Sequence, residues 1–237
     1  MRPETTALIV QARLDSSRLP EKSLLPLGGR PLIFRVMEAL RLLPCDARIL
    51  ACPDDAVSAF APLAQEAGFT VLAGPKDDVL ARFCLAVRHC GAGWIIRATG
   101  DNPFVFADAA AALNREAQSH AADYAAYSGL PYGAGTECVT AQALFRAGQE
   151  AQEAAEREHV CPYLYKRPEL FRLHRPLAPL RWQGADLRLT VDTREDYERA
   201  QALYLRLSSL PMDERNRGEN VIAAHKKLFG ENNGWRS

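Results

Sequence analysis

The stretch Ala7-Leu8-Ile9-Val10-Gln11-Ala12-Arg13-Leu14-Asp15-Ser16-Ser17-Arg18-Leu19-Pro20-Glu21-Lys22 decides how the chain is read. It opens on an unbroken apolar run, the pattern of a strand buried on both faces. A second apolar run, at helical spacing, begins near Pro31. The polar segment between them therefore hangs at the carboxyl end of a first strand, where open α/β sheets bind their ligands. It carries Arg13, Arg18 and Lys22 and the hydroxyls of Ser16 and Ser17. Guanidinium forks and an ammonium together suit a polyphosphate. Exposed cations also decorate ordinary surface loops. The segment has neither the glycine-lysine loop of NTPases nor the dinucleotide fingerprint, so any phosphate grip must rely on side chains rather than a glycine-lined nest.

Outward from this stretch, strand-like runs recur at Ala7–Ala12, Arg48–Cys52, Thr70–Leu72 and Trp94–Ala98, separated by helix-period segments at Pro31–Leu42, Asp54–Ala67 and Asp77–Cys90. Alternation of this kind predicts an α/β fold, a mostly parallel sheet with helices on both faces. Pro31 suits a first helical turn, and Gly68 and Gly91 suit helix stops. Further on, the pattern predicts a helix at Asp108–His120, an edge strand at Ala122–Tyr127 and a hairpin or flap at Ser128–Gly135, the flap region as a whole spanning about 125–140. Helices at Ala141–Gly148 and Glu150–Arg167 follow, then strands at Leu170–His174 and Leu187–Val191, and helices at Arg194–Leu207 and Asn216–Phe229. The polar stretch from Gly230 to Ser237 is expected to fray.

The 237 residues, 48% hydrophobic and 24% charged, are expected to form a single globular domain. Its 29 acids cancel its 29 bases, which argues against a general nucleic-acid or anionic-membrane surface and for a small ligand met by local charge. No apolar stretch approaches the roughly 20 residues of a membrane span, and no signal-peptide core opens the chain, so it reads as cytoplasmic. The six cysteines are scattered without a Cys-x-x-Cys pair, as expected of buried reduced thiols.

Two carboxylates sit at predicted strand ends: Asp101 after Ile95-Ile96-Arg97-Ala98-Thr99-Gly100, and Asp192 after Leu187-Arg188-Leu189-Thr190-Val191. Offered to one crevice beside the cationic loop, they could hold Mg2+ through oxygen ligands. Asp192-Thr193 also reads as a helix N-cap, and Asp78 as an acid serving a helix start. Arg97 could point at a ligand or pair with an acid. His159, in Arg157-Glu158-His159-Val160, could act as a base or be structural.

The segments Val10-Gln11-Ala12-Arg13, Ser16-Ser17-Arg18-Leu19-Pro20-Glu21-Lys22, Arg97-Ala98-Thr99-Gly100-Asp101-Asn102-Pro103, Arg157-Glu158-His159-Val160 and Thr190-Val191-Asp192-Thr193 resemble, in this order, the cytidylyltransferase family that includes spore-coat polysaccharide proteins of the SpsF type and, more distantly, CMP-Kdo and CMP-acylneuraminate synthetases. The resemblance implies a nucleotide-diphospho-sugar transferase (Rossmann-like) fold. It also implies transfer of CMP from CTP to a sugar acid or related hydroxyl acceptor, with pyrophosphate released. By the same resemblance Arg13, Lys22 and Asp101 are catalytic. The nucleotide meets Ala12, Arg13, Ser17, Arg18, Lys22, Asp78, Arg82 and Arg97; the acceptor meets Tyr132, Glu137 and His159; and Mg2+ sits on Asp101 and Asp192. A homodimer in surface polysaccharide biosynthesis is further implied. The sugar-side segment, which usually reads Gly-x-Asp-x-Glu, has Gly135 in place of the acid. A guanylyl- or uridylyltransferase acting on a sugar phosphate, or a non-catalytic nucleotide-sugar-binding subunit, are the competing readings.

Overall fold

The computed structural model describes residues 5–230. In chain order it forms β1 (Thr6–Gln11), β2 (Pro26–Leu27), β3 (Arg30–Pro31), α1 (Leu32–Leu40), β4 (Ala47–Pro53), α2 (Val57–Ala67), β5 (Thr70–Gly74), α3 (Val79–Cys90) and β6 (Trp94–Thr99). Then come α4 (Ala107–Ser119), β7 (Tyr124–Ala125), β8 (Glu137–Thr140), α5 (Ala141–Glu150), α6 (Ala154–His159), α7 (Pro162–Tyr165) and β9 (Leu173–His174). Three helices close the described chain: α8 (Arg194–Leu207), α9 (Met212–Arg215) and α10 (Gly218–Phe229).

The main sheet runs β5-β4-β1-β6-β8-β7-β9. Strands β5, β4, β1 and β6 are parallel, while β8 runs antiparallel to β6 and β7. The apolar run of β1 is continuous because both of its faces are covered. Leu8 and Val10 join one core with α1, α2, α4, α8 and α10; Ala7 and Ile9 join the other with α3, α5 and α7. From β1 the chain winds through β4 to β5 on one side, then returns to lay β6 on the other. This reversal puts a crevice between the carboxyl ends of β1 and β6, the topological switch point of the sheet.

The first half follows the sequence expectations to within a few residues, and Gly68 and Gly91 end their helices in left-handed conformation. The second half departs from them. Residues 126–136 take the hairpin alternative rather than the flap: they join antiparallel β7 and β8 and are pinned where Tyr132 N–H donates to Leu187 O at 2.9 Å and Leu189 N–H to Tyr132 O at 2.8 Å. Part of the expected flap is in fact β8, an interior strand. Strand β7, expected as an edge strand at Ala122–Tyr127, lies between β8 and β9, and both β7 and β9 hold only two residues, fewer than predicted. Leu187–Val191 is extended, yet only Arg188 makes a β-bridge, to Tyr132.

The helix expected at Glu150–Arg167 is broken in two. At the break, wholly buried Val160 adopts φ +72° and ψ −59°, and Cys161 N–H donates to His159 O at 2.9 Å, a γ-turn. Apart from Gly230, the expected frayed tail lies outside the described residues. Among those described, no helix is long and apolar enough to cross a membrane, and all six cysteines are free.

Candidate active site at the sheet switch point

Gly100 shapes the floor of the crevice. Its N–H donates to Gln11 O at 2.7 Å, and a Cβ there would lie 2.8 Å from that oxygen and 2.9 Å from the Ala12 Cβ. Lacking one, the chain presses against the end of β1, turns sharply and presents Asp101. Opposite it, the loop after β1 is braced by Ser23 Oγ donating to Arg13 O at 3.0 Å. The loop ends in a short 3-10 turn that Lys22 opens.

Lys22 joins the two acids: its Nζ donates to Asp101 Oδ2 at 2.9 Å and to Asp192 Oδ1 at 2.8 Å. Arg18 Nη2 stands 3.6 Å from the same Asp192 oxygen. The N-cap reading of Asp192-Thr193 resolves in favour of its second residue. Thr193 Oγ1 accepts Asp196 N–H, and Asp196 answers from the third helical position, a capping box. Asp192, one residue before the cap, is left free to face the crevice.

Arg188 braces Asp192 from behind, donating to Asp192 Oδ2 at 2.7 Å and to Asp196 Oδ1 at 3.0 Å. Burial alone would raise the Asp192 carboxyl pKa, but the hydrogen bond and charge of Lys22, with Arg18 and Arg188, outweigh it and hold the group below its ordinary value.

The remaining residues singled out in the sequence take varied places. Arg13 and Arg18 are exposed at the rim, with Arg13 Nη2 3.8 Å from Glu158 Oε1; Ser17 is exposed between them and Ala12 is buried below. Asp78 caps α3 by accepting Ala81 N–H at 2.9 Å, and it accepts Arg157 Nε at 2.7 Å, so its carboxylate is already engaged. Arg82 is 2% exposed, and its Nε and Nη1 lack hydrogen-bond partners among the described residues. Burial lowers its pKa.

Arg97 does not reach into the crevice as a free cation. It pairs with Glu137 below the sheet ends and donates to Gln11 Oε1 at 2.8 Å. Glu137 spends its other oxygen on Tyr124 Oη at 2.6 Å. Tyr132 is exposed, with Arg188 stacked 5.1 Å from its ring centre, and His159 is exposed at the end of α6.

Sequence reasoning missed Arg188, Asp196 and the role of Gln11. Arg188 looks like the outward residue of a strand; only the fold reveals that it braces Asp192. Gln11 was readable as the polar residue ending β1, but its hold on Arg97 required the β1–β6 register, which pairs Ile9 with Arg97.

A cationic rim and two convergent carboxylates thus meet at the topological switch point, the place where open α/β sheets bind their ligands. The Cytidylyltransferase family profile matches residues 7–228. The spore coat polysaccharide biosynthesis protein SpsF of Bacillus subtilis is 33% identical over 213 residues, 86% of this chain and 88% of that protein. The 3-deoxy-manno-octulosonate cytidylyltransferase of Psychrobacter arcticus is 33% identical over 109 residues, 44% of this chain and 40% of that one. A solved cytidylyltransferase structure from Leptospira borgpetersenii superposes with TM-score 0.85 over 95% of both chains, at 22% identity. The chain belongs to the cytidylyltransferase family.

Proposed function

We infer that the chain transfers CMP from CTP to a sugar acid or related hydroxyl acceptor, releasing pyrophosphate, in the building of a surface polysaccharide. The observation that carries this reading is the Lys22 ammonium held between Asp101 and Asp192 at the switch point. In this reading Arg13, Ser17 and Arg18 grip the triphosphate from the rim, and Lys22 neutralises charge that grows on the leaving pyrophosphate as the acceptor oxygen attacks the α-phosphate in line. Ala12 offers backbone beside the nucleotide, and Asp78, Arg82 and Arg97 act from below, holding α3 and the strand ends in place. Tyr132, Glu137 and His159 bound the acceptor side, with Gly135 standing where the resembled motif has an acid.

The donor set at Asp101 and Asp192 fits a hard divalent cation such as Mg2+. Two carboxylate oxygens converge on one point, and among the described residues there is no cluster of three or more His, Cys, Asp or Glu side chains to hold a metal outright. A cation bound by two carboxylates completes its shell with phosphate oxygens and water. When bound, it would supply charge neutralisation at the phosphates.

The reading extends to a cytoplasmic enzyme that works as a homodimer. The connection 126–136 would meet its copy, with exposed Leu177 and Leu180 adding apolar surface beside it. Light scattering tests this last point, and a monomer at micromolar concentration removes it.

The function itself is tested by pyrophosphate release from a panel of CTP, UTP, GTP and ATP, each offered with ulosonic acids, sugar phosphates and phosphonates. CTP should stand at least about tenfold above the others in kcat/KM. A preference for GTP or UTP, or binding of CTP without turnover on any acceptor, would overturn it.

A further inference from the structure

The same nitrogen that links Asp101 and Asp192 also fills the space between them. Lys22 Nζ lies 2.9 Å from one carboxylate oxygen and 2.8 Å from the other, and its side chain is only 12% exposed. A magnesium-sized cation sits about 2.1 Å from each oxygen it binds, inside the shell this ammonium now occupies. The two cannot share the gap, because contact between their charges in a partly buried site is strongly repulsive. Arginine's planar fork would be hard to dislodge; lysine is a compact charge on a flexible four-carbon stem that can swing to a new partner.

We propose that Lys22 is a resident stand-in for the divalent cation. In the nucleotide-free chain it holds Asp101 and Asp192 together, and the metal enters as the ammonium moves to the phosphates of the arriving nucleotide. The proposal rests on the reading of Asp101 and Asp192 as cation ligands and of the loop after β1 as the phosphate grip. It gives Lys22 a second task beyond holding phosphate: without it the two like charges would repel across an open crevice. It also makes metal and nucleotide binding mutually reinforcing, each raising affinity for the other by one common factor.

The test is Mn2+ binding followed by electron paramagnetic resonance. Nucleotide-free wild type should bind Mn2+ weakly. Lys22→Met should bind it at least about tenfold more tightly without nucleotide, since the competing cation is gone. Arg18→Met is the control: it removes an equal charge 3.6 Å from the same Asp192 oxygen but outside the gap, and should change Mn2+ affinity less than about threefold. Lys22→Gln and a melting curve for each variant guard against misfolding.

If Lys22→Met binds Mn2+ no better than wild type, or if Arg18→Met tightens binding equally, the stand-in is overturned. The underlying reading is judged separately. CTP-loaded wild type should bind Mn2+ and Asp101→Asn should lose that binding; failure there sinks the metal assignment itself.

Discussion

Asp196 Oδ2 accepts the backbone N–H groups of both Asp192 and Thr193 at 3.0 Å each, so one buried carboxylate sets the direction of the carboxylate that faces the crevice. Asp196 is 5% exposed and also receives Arg188. Asp196→Ala should therefore do two things. It should cost about 3 kcal/mol by leaving backbone donors and a largely buried guanidinium short of partners, seen as a lower urea midpoint. It should also lower kcat more than the KM for CTP, because Asp192 loses its aim. Unchanged stability would show that Arg188 finds another partner.

Lys22→Ala and Asp101→Asn are each expected to lower pyrophosphate release by about 100-fold, the usual cost of removing one group that stabilises developing charge. Lys22 is only 12% exposed and holds two acids together, so Lys22→Ala should also lower the melting temperature, whereas Asp101→Asn, at a more open position, should move it little. Near-wild-type turnover in both variants would remove their catalytic assignment.

Acid should weaken the fold in two separate windows. His225 is buried, and burial first, then the charge of Arg199, lowers its pKa below the ordinary 6.5. The unfolded chain takes up that proton more readily, so this stability is full above pH 6.5 and falls as pH drops below it. Asp192 and Asp196 are also held below their ordinary value, 3.8; their contribution persists to that pH and is lost beneath it. Urea midpoints between pH 7 and 3 should show both declines. His225→Gln should abolish the upper one alone.

The Arg97–Glu137 pair beneath the crevice should behave as a unit. Glu137→Leu strands a buried guanidinium and Arg97→Met a buried carboxylate, each costing about 3–5 kcal/mol. The double variant should cost less than the sum of the two, since neither charge is then left alone. Strict additivity in a double-mutant cycle would show that Gln11 and Tyr124, rather than the pair, satisfy the two charges.

The first four strands of the main sheet were legible because each is a short apolar run flanked by helix-period segments, and the acids at the site were legible because they follow Gly100 and Val191 at run ends. What escaped notice has particular causes. Strand β8 holds only Glu137–Thr140 and begins on a charge, so nothing separates it from the turn-rich segment before it. Val160 sits in a backbone region that branched residues avoid, so no propensity rule would place a helix break there. Asp78 and Glu137 have the residue types of ligand contacts, yet their oxygens accept from Arg157, Ala81, Arg97 and Tyr124; sequence alone shows the acceptor, never whether its hydrogen bonds are already taken.

The Lys22–Asp192 contact joins residues 170 positions apart. On a ribosome the cationic loop after β1 would emerge early and wait, unable to meet its counter-charge until the far end of the polypeptide had cleared the exit tunnel. Fragments halted before that moment would lack both that counter-charge and helices α8 and α10, which cover one face of β1, so a prematurely terminated product could not assemble the centre.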